Sequence, residues 1–89
     1  MDKKGQLLEK AAQLFDIPGQ AVGLPRVEVV GRGELRMENH RGILAYGREE
    51  ILISGGSLLV RVRGSGLELK AMRLGELHIV GNIAAIELE

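Results

Sequence analysis

The chain has 89 residues, which allows one small domain, and it contains no cysteine, so disulfides and thiolate metal sites are excluded as braces. Its 12 Lys and Arg balance 12 Asp and Glu, which argues against a general pull on phosphate backbones and hence against nucleic-acid binding. No apolar run approaches the roughly 20 residues that span a bilayer, and no secretory apolar segment is evident, so the expectation is a cytoplasmic protein with no direct membrane span.

Apolar residues make up 45% of the chain, but Phe15 and Tyr46 are its only aromatics. The core must therefore be built from Leu, Ile, Val and Met. In "DKKGQLLEKAAQLF", Leu7, Leu8, Ala11, Ala12, Leu14 and Phe15 cluster at three- and four-residue spacings, the period of a helix. Asp2 can cap its start. "DIPGQ" stops it, because Pro18 cannot continue a helix and Gly19 favours a turn. Residues 1–25 are accordingly expected to form a short N-terminal helix and a linker, and residues 26–89 a β domain.

From Arg26 onward the period changes to two. "VEVV", "ELRME", "GILAY", "EILIS", "SLLVRVR", "LELKAM", "ELHIV" and "IAAIELE" read as strands. In "LLVRVRG", Leu58, Val60 and Val62 oppose Leu59, Arg61 and Arg63. In "GLELKAM", Leu67, Leu69 and Ala71 oppose Glu68 and Lys70. Successive side chains on a strand point to opposite faces, so each such strand has one buried side. Between the strands lie "GRG", "NHRG", "GRE", "GGS", "GSG", "RLG" and "GN", where glycine supplies the positive φ of tight hairpins. Connections this short favour antiparallel neighbours. The expected fold is mainly β: a small antiparallel sandwich or barrel-like meander of about seven or eight short strands with the N-terminal helix, the alternative being a short β-solenoid.

No catalytic set is visible. His40, in "MENHRGILAY", falls at a turn, and His78, in "GELHIVG", faces away from Leu77 and Ile79 on a strand. General-base or nucleophilic chemistry would need a partner for either one. The three serines, Ser54, Ser57 and Ser65, lie near glycines in expected turns, and both aspartates precede the β region. Two isolated histidines without cysteine make a poor zinc site. "GRG" and "GSG" complete no phosphate-binding fingerprint and lead into no helix. No catalytic, cofactor or metal residue is assigned. Arg61 and Arg63 share a strand face, with Glu68 or Glu76 as the expected neighbouring mates.

Several strands carry apolar residues on both faces. Val30, Leu44, Leu52 and Leu59 alternate with expected core positions such as Ile43, Ile51 and Ile53. A sheet buried on one face does not need them. Either the helix covers the second face or another protein does, which makes these four the candidate partner-binding residues.

The pieces "VVGRGELRMENHRGIL" and "LLVRVRGSGLELKAMRLGELHIVGNIAAIEL" resemble the YabP/YqfC family of bacterial sporulation proteins, and the YqfC branch most closely. The resemblance runs from about Arg26 to the end of the chain. It implies a role in endospore formation on the mother-cell side of the forespore, linked to spore coat or cortex assembly. It further implies a protein partner, since members of the YqfC branch are commonly found with a membrane-anchored sporulation protein. The family brings no catalytic residues. The expected function is a non-enzymatic structural or adaptor role through protein contacts or self-association. The alternative is a small ligand-binding β domain or an unrecognised enzyme.

Overall fold

Two stretches that look like pairs of short strands each fold as one long strand. The structure, a computed structural model, describes residues 23–89; the expected helix lies outside the described residues. The strands are β1 (Arg26–Val30), β2 (Glu34–Glu38), β3 (Ile43–Tyr46), β4 (Glu50–Ser54), β5 (Leu59–Arg73) and β6 (Glu76–Leu88). "SLLVRVR" and "LELKAM" merge into β5, and "ELHIV" and "IAAIELE" merge into β6. The described residues thus hold six strands in place of the expected seven or eight.

The cause is the role of the glycines in "GSG" and "GN". These are bends inside strands, not turns between them. The β5–β6 register shifts at Arg63/Gly64 and again at Ser65/Glu68. At the bend the two backbones come very close. A Cβ on Gly64 would lie 2.0 Å from the Asn82 carbonyl oxygen, and one on Gly81 would lie 2.6 Å from that of Gly66. Only glycine fits such an approach, and a glycine inside a strand often marks this kind of kink.

All six strands belong to one open sheet in the order β1-β2-β6-β5-β4-β3, and every neighbouring pair is antiparallel. A single open antiparallel sheet thus stands in place of the expected sandwich or barrel-like meander and of the alternative short solenoid. β2 pairs with Glu76–Val80 of β6, whereas β4 pairs with Leu59–Arg63 of β5. The two ends of the sheet therefore lie on opposite sides of the bend. Their apolar faces still share one core: Leu35, Met37, Ile51, Ile53, Val60, Val62, Leu67, Leu77, Ile79 and Ile83, all at most 6% exposed. Leu58, Val60 and Val62 do face inward, opposite Leu59, Arg61 and Arg63. Ala71 does not follow Leu67 and Leu69, because a bulge between Leu69 and Ala71 places it in register with His78 on the outer face.

Candidate interaction surface

The strand alternation that builds the core also decides what the outer face carries. Leu52 lies between the fully buried Ile51 and Ile53, so it points away from the core. Its cross-strand partner on β5 is Arg61, and Leu59 pairs with Ser54 one step along the same face. Leu52 and Leu59 are therefore diagonal neighbours, within reach of each other's side chains. On the other side, β3 has a bulge between Ile43 and Ala45. A bulge sets two residues against one, so Leu44 and Ala45 both stand opposite Leu52. Leu44 is 58% exposed, whereas Leu52 and Leu59 are half-buried.

The structure thus gathers three of the four candidate residues, Leu44, Leu52 and Leu59, into one apolar strip over β3, β4 and β5. Val30 is 52% exposed, but it belongs to β1 at the opposite edge of the sheet and stands apart from the strip.

A charged ladder borders the strip. Arg61 makes a two-pronged contact with the Glu89 carboxylate, its Nε at 2.6 Å and its second nitrogen at 3.2 Å. It also meets Glu50 at 2.9 Å. Arg63 lies 2.8 Å from Glu87 and 3.4 Å from Glu50. These partners replace the expected Glu68 and Glu76: Glu68 lies beyond the bend on β5 itself, and Glu76 opens β6 in register with Arg73 and Glu38. The hydrogen bonds that Arg61 donates to the Glu89 and Glu50 carboxylates push its guanidinium further into its charged form. The same bond from Arg61 holds the Glu89 carboxyl below the usual carboxylate range. Exposed pairs of this kind add little stability singly, and here they line one side of the apolar strip.

His40 is part of a corner. Asn39 has φ +62° and Gly42 φ +126°, so the chain turns sharply between β2 and β3. The Gly42 N–H donates to His40 Nδ1 at 3.0 Å, which leaves Nε2 to donate to the Arg73 carbonyl at 3.3 Å. The His40 N–H itself reaches the Gly75 carbonyl at 3.2 Å. One side chain thus clamps the β2–β3 crossing to the β5–β6 hairpin.

His78 faces the outer side, in register with Arg36 and Ala71. Its Nε2 lies 3.6 Å from a Glu34 oxygen and has no hydrogen-bond partner among the described residues. It belongs to an open depression of about 410 Å³ that also involves Arg26, Arg36, Glu38, Arg73 and Glu76. The charges there are of both signs. No serine joins either histidine: Ser54 Oγ accepts from the Gly56 N–H and Ser65 Oγ contacts Asn82.

Sequence reading missed a second set of exposed apolar groups. Val29, Tyr46, Met72 and Leu88 are in register with the buried Leu35, Ile51, Leu77 and Val60, yet each is at least 43% exposed. They lie on the core side, where strands run past the core. Strand length, hidden by the in-strand glycines, would have revealed Met72 and Leu88, whereas Val29 and Tyr46 are exposed on the two edge strands.

The sequence pattern of the YabP family matches residues 23–89. The chain belongs to the YabP family. It is also similar to the uncharacterized protein YqfC of Bacillus subtilis (strain 168), at 30% identity over 87 residues, which cover 94% of this chain and 91% of that protein. The region matched by the YabP pattern contains all six strands and every element of the surface described above. None of the described residues forms a helix long and apolar enough to cross a membrane.

Proposed function

We propose that this YabP-family protein is a non-enzymatic sporulation component that acts by binding another protein through the β3–β4–β5 outer face. Its place is the mother-cell side of the forespore, in spore coat or cortex assembly, and its partner is a membrane-anchored sporulation protein. The observation that carries the reading is the strip of Leu44, Leu52 and Leu59, which the core does not need and the charged ladder borders. An apolar centre with a polar rim is the usual plan of a protein interface. Burying each leucine in a partner would contribute about 1.5–3 kcal/mol. Family membership supports the process, and the clamped corner around His40 supports a structural role for that residue.

The test is capture of partners from sporulating cells with tagged copies. Wild type is expected to recover a membrane-anchored protein, and Leu44→Glu to lose it while staying folded. Val30→Glu, at the other edge, should retain it. Equal recovery by wild type and Leu44→Glu would overturn the reading. His40→Gln and His78→Gln should both support sporulation. A folded variant of either one that fails to do so would point to chemistry instead.

A second reading, a small ligand-binding β domain, rests on the unpaired His78 Nε2 in its depression. A thermal-shift screen of small anions against wild type and His78→Gln separates the two. A shift lost in the variant would favour ligand binding.

A further inference from the structure

The sheet has two edges, and they are built differently. At the β3 edge the bulge around Leu44 breaks the regular ladder, a common way of blunting an edge against pairing. At the β1 edge nothing of the kind occurs. β1 runs Arg26–Val30 in unbroken register with β2 and, among the described residues, has no neighbour on its other side. Such a strand presents a row of unpaired N–H and C=O groups, a template for another strand.

We propose that the occupant is a second copy of the chain, paired antiparallel β1 to β1 about a two-fold axis at Val27. The charge pattern of β1 selects this register. A two-fold axis perpendicular to the sheet preserves its faces, so the axis must pass beside one residue, which then meets its own copy. An axis at Glu28 sets Glu28 against Glu28. An axis at Arg26 sets Arg26 against Arg26. An axis at Val29 or Val30 carries the position opposite Arg26 past the end of β1 at Val30 and leaves Arg26 without a partner on the edge strand. Only an axis at Val27 places Arg26 opposite Glu28 of the second copy, and Glu28 opposite Arg26, with Val27 against Val27 on the core side.

β2 extends the match. Glu28 is in register with Arg36, and Arg26 with Glu38. The row across the interface then reads Arg36, Glu28, Arg26 of the second copy and Glu38 of the second copy, alternating in sign at every step. Among the described residues, neither Arg26 nor Glu28 takes part in an ion pair. On the core side, the 43% exposed Val29 would lie just beyond the paired residues, beside Pro25 of the second copy, which precedes β1 and packs over Gly55 of its own chain. A five-residue edge makes a small interface, so the dimer belongs to the weak, concentration-dependent class.

The inference does not rest on the partner-binding reading, because the Leu44 strip is at the other edge. It is tested on the full chain by sedimentation over a wide concentration range. Wild type should dimerise reversibly. Arg26→Glu and Glu28→Arg each turn two attractive cross-strand pairs into repulsive ones, so each alone should weaken dimerisation about tenfold or more. Mixed in equal amounts, they restore opposite signs at both pairs and should form a heterodimer. Leu44→Glu should dimerise like wild type.

A covalent readout guards against misfolding of the charge variants. The chain lacks cysteine, so Val27→Cys, which meets its own copy on the axis, should form a disulfide dimer under mild oxidation far faster than the off-axis Val30→Cys. A strictly monomeric wild type, single charge variants that dimerise normally, a mixture that stays monomeric, or equal crosslinking at the two positions would each overturn the proposal.

Discussion

Replacing Gly64 by alanine should destabilise the fold strongly, and the structure indicates why. The added Cβ would lie 2.0 Å from the Asn82 carbonyl oxygen, 3.0 Å from its carbon and 3.1 Å from the Ile83 Cα. All three are backbone atoms of β6, so no side-chain rotation relieves the clash. The two longest strands must instead separate at the point where they bend together. That would weaken the adjacent ladder bonds and lift the buried Ile83 from the core. Overpacking alone costs about 1–3 kcal/mol, and each lost backbone bond adds about 1 kcal/mol. A total of about 3 kcal/mol corresponds to a drop of about 10–20 °C in melting temperature for a domain of this size.

The control is Gly33→Ala. Its nearest neighbour would be the Gly81 oxygen at 3.9 Å, an ordinary contact, and its φ is not positive. Alanine there should be neutral or slightly stabilising. Thermal unfolding followed by far-UV circular dichroism compares the two directly. If Gly64→Ala melts within a few degrees of Gly33→Ala, the strand-bend account of these glycines is wrong.

Three further outcomes follow from the same geometry. Ile53→Glu, at a fully buried position, should unfold the domain at ambient temperature, whereas Leu44→Glu should shift urea-induced unfolding by no more than about 0.5 kcal/mol. Tyr46→Phe removes the hydroxyl that accepts the Leu69 N–H at 3.1 Å, and chemical denaturation should register a loss of about 0.5–1.5 kcal/mol. For Glu89, whose carboxyl is depressed in the folded state by Arg61, the stabilisation is present above the unfolded carboxylate pKa and is lost as pH falls through the lowered folded value. Melting curves of wild type and Glu89→Gln should therefore differ at neutral pH and converge in acid, and a gap that persists in acid would contradict the sign.

The inward and outward sets were legible because a period of two is a local signal. Ile51, Ile53, Val60 and Val62 are buried where alternation puts them, and Leu52 and Leu59 lie on the other face. Strand count was not legible, because glycine has two uses with the same spelling. In "RLGE" it makes a true hairpin turn, with Gly75 at φ +81° between Arg73 and Glu76. In "GSG" and "GN" it permits two backbones to touch, which depends on a partner strand distant in sequence. The mates of Arg61 were missed for the same reason, since the merged strands carry Glu87 and Glu89 past it. The bulge that swings Leu44 beside Leu52 leaves no mark in the composition at all.

The two proposed contacts occupy opposite edges of one sheet, and this has a measurable consequence. In the order β1-β2-β6-β5-β4-β3, a β1–β1 dimer uses no residue of the Leu44 strip in either copy. Such a dimer is bivalent for a partner anchored in a membrane, where two partner copies can be engaged at once. The second engagement is then intramolecular, so avidity exceeds the affinity of a single strip without any new contact. Arg26→Glu should therefore reduce retention on partner-coated vesicles while leaving binding to a soluble, monomeric partner domain unchanged. Leu44→Glu should abolish both and leave sedimentation unaltered. Surface plasmon resonance at high and low partner density distinguishes the cases. If Arg26→Glu weakened binding equally at both densities, the β1 edge would itself be part of the partner site, and the division of labour between the two edges would have to be abandoned.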